Sequence, residues 1–206
     1  MAEKTRKRPQ TLYVCGLPYD IVNKENPEST CEDVSTSDLC SQTLYVMEDI
    51  PFPRWLSYVA VEIAVQLLEA AGRRGKPARK YADHFGPVLY RFLRENKFDW
   101  IYTDALGNPP PTVFINGMPY TVSDEEAYLD VRNLCGQCDY LTLSIKLHSR
   151  LKAEGKAVVF CHEAAHAMLY EARLMAICND ESVVEPLSYF LYQLLKQNDF
   201  SFAYNG

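Results

Sequence analysis

Two histidines four residues apart, with a glutamate directly after the first, form the segment of this 206-residue chain best equipped for chemistry: His162-Glu163-Ala164-Ala165-His166. On a helix of 3.6 residues per turn, positions i and i+4 project from one face, so both imidazoles can reach a single ion about 2 Å from each. Imidazole ligands in that arrangement suit Zn2+. Glu163 follows about 100° further round the axis, where its carboxylate can reach a water on the metal without being a ligand. That is the place of a general base. The surrounding residues Val158, Val159, Phe160, Cys161, Ala164, Ala165, Ala167, Met168 and Leu169 are apolar. Polar side chains set in a buried helix need partners, and a metal supplies them.

A catalytic zinc site takes three protein ligands and leaves a position for water. Glu181 and Glu185, four residues apart shortly after the motif helix, are the available carboxylates. With Glu181 as third ligand, Glu185 becomes the acceptor that orients a ligating histidine. Glu185 has another reading, because Ser182-Val183-Val184-Glu185 fits a capping box with Pro186 tolerated in the first turn, which leaves Glu181 just outside the helix. Cys161 projects elsewhere around the helix and makes a poor fourth ligand. An intact Glu163 favours catalysis, since a structural site needs no base and fills its fourth position with cysteine or histidine.

Other residues could contribute. Tyr170, Tyr189 and Tyr192 could donate to an oxyanion, although with fourteen tyrosines in the chain packing is the better reading of each. His84 and His148 have no partner by spacing. Cys135-Gly136-Gln137-Cys138 is a lone CxxC with no second pair or nearby histidine, and is read as a turn carrying ordinary thiols. The seven cysteines are odd in number and irregularly spaced, so reduced thiols are expected.

The segment HEAAHAMLYEA followed by NDESVVEPLSYFLYQLL resembles the small gluzincin-type HExxH metallopeptidase-like proteins of bacteria and their phages. In these a short loop joins the motif helix to a helix bearing Glu-x-x-x-Glu or Glu-x-x-x-Asp. The resemblance spans roughly residues 112–198. It implies zinc ligands His162, His166 and Glu181, a catalytic Glu163, and Glu185 behind the ligands. It also implies that the strand before the motif helix, residues 140–146, is the edge that holds an extended peptide by main-chain bonds. Pro186 and an internal duplication depart from the pattern.

The duplication is visible in the letters. TLYVCGLPYDI (11–21) recurs as TVFINGMPYTV (112–122), an offset of 112 − 11 = 101, and VAVEIAVQLLEAA (59–71) recurs at the same offset as FCHEAAHAMLYEA (160–172). QTLYV (42–46) faces LTLSI (141–145) at an offset of 99, and YRFLRENKFDWIY (90–102) faces YQLLKQNDFSFAY (192–204) at 102. Matches in unchanged order indicate a tandem repeat. At the offset of 101 the first copy has Val61 for His162, Val65 for His166 and Lys80 for Glu181, and keeps only Glu62 for Glu163. No zinc is expected there.

The predicted fold is α+β: two tandem copies of a small strand-hairpin, strand and two-helix unit, packed as a pseudo-dimer with the HExxH helix in the second. The pattern places a hairpin or bent strand at the Gly-x-Pro break and strands at 42–47 and 140–146. Helices are placed at 56–71 and 156–172, and closing helices at 83–96 and 182–198. The division is a flexible basic tail at 1–9, a degenerate copy at 10–102, a proline-rich linker at 103–111 and the zinc-binding copy at 112–206. A unit of roughly 90 residues buries too little surface to be comfortable alone, which favours packing of one copy on the other.

Composition is ordinary for a folded chain, with 48% hydrophobic and 23% charged residues. A net charge of −6 outweighs the basic amino terminus, so no nucleic-acid role is expected. No apolar run reaches the roughly 18 residues of a membrane span, and no apolar segment follows the basic start, so no membrane partner and a cytoplasmic location are expected. The functional expectation is a zinc metallopeptidase acting on a protein or peptide. The rivals are a zinc-stabilised binding or regulatory protein in a phage–host setting, and a zinc hydrolase of a non-peptide substrate.

Overall fold

The structure, a computed structural model, describes residues 8–24, 35–38, 40–48, 50–102 and 106–204. Residues 1–7 of the expected tail and 103–105 of the expected linker lie outside the described residues. Arg8, assigned to that tail, is tied down: its guanidinium donates to the carbonyls of Glu48 (3.0 Å) and Ile50 (2.6 Å) and lies over the Trp55 ring.

Among the described residues the architecture is α+β, with two four-stranded sheets and six α-helices. The first sheet comprises β1 (Thr11–Val14), β2 (Leu17–Lys24), β3 (Ser35–Asp38) and β4 (Thr43–Met47), in the order β1-β2-β4-β3. The second comprises β5 (Thr112–Ile115), β6 (Met118–Glu125), β7 (Gly136–Asp139) and β8 (Ser144–His148), in the order β5-β6-β8-β7. In both sheets a hairpin is followed by a parallel central pair and an antiparallel edge strand.

The Gly-x-Pro break resolves as a two-residue hairpin turn. Cys15 and Gly16 have φ of 52° and 79°, and Asn116 and Gly117 have 54° and 80°. Two successive left-handed residues match the right-handed twist of the strands they join. The strand expected at 140–146 is displaced. Asp139 Oδ1 accepts the Leu141 and Thr142 amides at 2.9 and 3.2 Å, which bends 140–143 into a turn, and β8 begins at Ser144.

The four long helices are α1 (Phe52–Ala70), α2 (Lys76–Glu95), α5 (Ala153–Glu171) and α6 (Glu181–Gln197); α3 (Asp99–Tyr102) and α4 (Ala127–Arg132) are short. Pro77 sits in the first turn of α2, where a missing N–H is harmless, so this helix starts seven residues before the expected position 83. The amino terminus of α6 is also earlier than expected. Asp180, not Ser182, is its N-cap, accepting the Ser182 amide at 3.1 Å, which places Glu181 in the first turn and Pro186 inside the helix.

One continuous hydrophobic cluster runs through both sheets and all four long helices, from Leu44, Trp55 and Phe85 to Phe160, Leu187 and Leu195. The two halves meet through α1 on α6, α2 on α5, α2 on β5 and α6 on β1. The joints have matching chemistry. Asn96, just after α2, exchanges hydrogen bonds with the Phe114 amide (2.8 Å) and carbonyl (2.7 Å) on β5. Asn198, just after α6, does the same with the Tyr13 amide and carbonyl on β1, at 2.8 Å each. Among the described residues, no helix is long and apolar enough to cross a membrane.

Candidate metal centre

Helix α5 carries the motif on a buried spine. Phe160, Cys161, Ala164, Ala165, Ala167 and Met168 are fully buried, and they hold the helix so that His162 is half-buried and His166 nearly enclosed. The loop after α5 then turns back, and the Asp180 cap starts α6 with Glu181 facing the two imidazoles.

His162 Nε2 and His166 Nε2 lie 3.1 Å apart. Glu181 places Oε2 3.4 Å from the first and Oε1 3.3 Å from the second. Ligand atoms about 2.0–2.2 Å from one tetrahedral ion are about 3.3 Å from one another. The two Glu181 contacts use different oxygens, and with one ligand atom taken from each residue the three lie within 4.8 Å of one another, a group close enough to gather round one ion. Among the described residues these three alone group in this way.

The protons agree with that geometry. His166 Nδ1 lies 2.6 Å from the Cys178 carbonyl, an acceptor only, so the proton sits on Nδ1 and Nε2 presents its lone pair. Burial, with His166 nearby, pulls the His162 pKa below its ordinary value against the opposing pull of Glu181 and Glu185. A neutral imidazole is the form that ligates a metal. His166 Nε2 thus turns its lone pair toward His162 Nε2, 3.1 Å away, where either a proton or a cation can bridge the two nitrogens.

Glu163 is 7% exposed, and its pKa is raised to about 7 by burial, with the Cys138 backbone N–H pulling the other way and Glu181 reinforcing the rise. A carboxyl group balanced near neutrality can both accept and return a proton. The approach of β7 is what encloses it. A Cβ on Gly136 would stand 2.8 Å from Glu163 Oε1 and 2.5 Å from Val159 Cγ1. Gly136 and Cys138 belong to the CxxC, which is therefore part of a strand and not a turn; Cys135 is exposed, and burial pushes the Cys138 thiol up.

Two expectations from the resemblance are corrected. Residues 140–146 do not form the sheet edge, because β8 is central and β7 lies outside it. No described hydrogen bond joins the Glu185 carboxylate to either histidine; the groups at the Nδ1 atoms are the Cys178 carbonyl for His166 and Ser188 Oγ, at 3.5 Å, for His162. Ser188 was missed because its role depends on how α6 lies against α5, which no spacing reveals.

The tyrosines are redistributed as well. Tyr192 donates to Glu154 at 3.0 Å, and burial and that carboxylate push its pKa up to about 12. Tyr189 is exposed. Tyr170 stacks flat on Tyr140, with centroids 4.2 Å apart and planes 1° from parallel. Tyr140, which sequence reasoning did not single out, donates to Asn179 Oδ1 at 3.5 Å and feels the carboxylates of Glu163 and Glu181. His148 does have a partner, Asp130 at 2.8 Å, in a network with Arg150 and Glu126. His84 is exposed on α2.

Compared with known protein families, with curated proteins and with solved structures, the chain matches none.

Proposed function

We propose that this protein is a zinc-dependent hydrolase of peptide bonds, of the gluzincin type, in which His162, His166 and Glu181 hold the ion and Glu163 is the general base. The observation that carries the reading is the grouping of His162, His166 and Glu181, one ligand atom from each lying within 4.8 Å of the others, beside a buried carboxyl with a pKa of about 7. When bound, zinc acidifies water and polarises a carbonyl.

The chain's own groups supply the rest. Glu163 takes a proton from the attacking water and returns it to the departing amine, which a pKa near 7 permits in both directions. Its enclosure by Gly136 and Val159 fixes the carboxylate and keeps bulk water from it. The Cys178 carbonyl fixes the His166 tautomer. Among the described residues β7 pairs only with β8, so its outer rim offers main-chain groups to an extended peptide beside Glu163. We further propose that the halves are copies from a tandem duplication packed as an internal pseudo-dimer, supported by their common strand order and the paired Asn96 and Asn198 joints.

The test sets zinc-loaded protein and Glu163→Gln against a mixture of quenched fluorogenic peptides. Cleavage slowed about 10² to 10⁴-fold in the variant, with zinc content equal, supports the reading. A fully zinc-loaded wild type that cleaves nothing overturns it and leaves zinc-supported binding of a partner, the reading in which the ion serves recognition.

A further inference from the structure

The first half preserves the shape of this site with different chemistry. The matched joints at Asn96 and Asn198 fix the offset between α2 and α6 at 198 − 96 = 102, which makes Arg79, not Lys80, the counterpart of Glu181 (181 − 79 = 102). By the same offset Gly86 stands for Ser188, while Val61, Glu62 and Val65 stand for His162, Glu163 and His166 at 101.

Glu62 is fully buried, and its Oε1 accepts from Arg79 Nη1 at 2.6 Å and from Ser35 Oγ at 2.7 Å. Its Oε2 is buried with no hydrogen-bond partner among the described residues, so every compensating contact reaches the carboxylate through one oxygen. The rest of the site is sealed by packing. A Cβ on Gly86 would stand 2.6 Å from Val61 Cγ2, so the glycine is what lets α2 close over Val61.

The charges of the two halves then complement each other. The second half presents two imidazoles and the carboxylates of Glu163 and Glu181, a set short of positive charge; the first presents Glu62 and Arg79, which balance. We infer that Arg79 supplies from within the chain the positive charge that the second half must take from solution as a metal ion. This rests on the zinc reading of the second half. A buried carboxylate has to be paired, and a guanidinium at 2.6 Å is a fixed substitute for a dissociable cation. The first half therefore keeps its helix pair closed whether or not metal is available.

Two measurements on the full chain test this. In the first, Val61→His, Val65→His and Arg79→Glu are combined, and zinc per chain is counted in wild type and variant. One zinc rising to two supports the inference; one zinc in a folded variant overturns it. In the second, Arg79→Met lowers Tm by roughly 10 °C, and adding Glu62→Gln restores most of the loss, because the amide needs no cation. An Arg79→Met protein that melts with the wild type overturns the inference even if the triple variant fails to fold. A wild type that binds no zinc overturns the reading of the second half, and the melting pair then decides alone whether Arg79 is the cation Glu62 requires.

Discussion

Gly136 and Glu163 approach so closely that a methyl group on the glycine would stand 2.8 Å from the carboxylate oxygen. An edge strand can be laid against a buried acid only where the strand presents no side chain. Gly136→Ala is therefore expected to displace Glu163 or lift β7. A displacement of the order of 1 Å at a reacting group costs about 10²-fold in rate. Peptide hydrolysis should fall by about that factor while zinc content stays at one per chain. An alanine variant with wild-type turnover would show that the contact has no bearing on the chemistry.

The ligand set is tested by competition titration with a chelating indicator. Glu181→Gln is expected to weaken zinc by more than about 100-fold, and Glu185→Gln and Ser188→Ala by about tenfold or less. The ranking follows from distance: Glu181 places Oε2 3.4 Å from His162 Nε2 and Oε1 3.3 Å from His166 Nε2, whereas Ser188 meets only the far nitrogen of His162. If Glu185→Gln proves the more damaging, the third ligand is Glu185.

The grouping of His162 and His166 was legible in the letters because two positions on one helix are written as spacing. Glu181, on another helix, was picked out beside Glu185 as a nearby carboxylate and through the resemblance, and the structure brings it to the histidines. The parts that escaped depend on surfaces meeting across long separations. Ser188 reaches His162 over 26 residues, and the role of Gly136 appears only once β7 lies on α5. β7 itself was hidden because Gly-Gln-Cys-Asp shows no alternation of apolar and polar residues, all four being half-buried. The N-cap of α6 was misplaced by two residues because Asp180 and Ser182 are both good caps, and only the folded loop decides between them. The common strand order of the halves was foreshadowed by the recurring letters, yet the offset of 101 read along one helix paired Lys80 with Glu181, whereas the Asn96 and Asn198 joints give α2 and α6 an offset of 198 − 96 = 102.

Burial of Glu163 has a thermodynamic consequence in the metal-free protein. Its pKa rises from the ordinary value of 4.5 to about 7 on folding, so between those pH values the folded state holds a proton that the unfolded chain has released. Stability from this group is then fully present below about pH 4.5 and is lost as pH rises through 7. The loss is on the order of 3 kcal/mol. Free of zinc, Glu163→Gln should therefore be more stable than wild type at pH 8 and about equal at pH 4, as read from urea midpoints. Equal midpoints at both pH values would mean that the folded site does not hold the carboxyl out of water.

The joints between the halves carry the last prediction. Asn96 satisfies both backbone groups of Phe114, and Asn198 both of Tyr13, each amide side chain imitating a paired strand on the outer rim of β5 or β1. Each asparagine is nearly enclosed, at 6% and 5% exposure, so the groups it serves have little access to water if it is removed. Asn96→Ala or Asn198→Ala is expected to cost about 2 kcal/mol, lowering Tm by roughly 5 °C. The two sites share no partner, so the double variant should lose about the sum. It should also aggregate on heating more readily than either single variant, because β1 and β5 are edge strands whose free rims these side chains cover. Differential scanning calorimetry with light scattering reads both effects, and single variants that melt with the wild type would show that the interface is held by its apolar contacts alone.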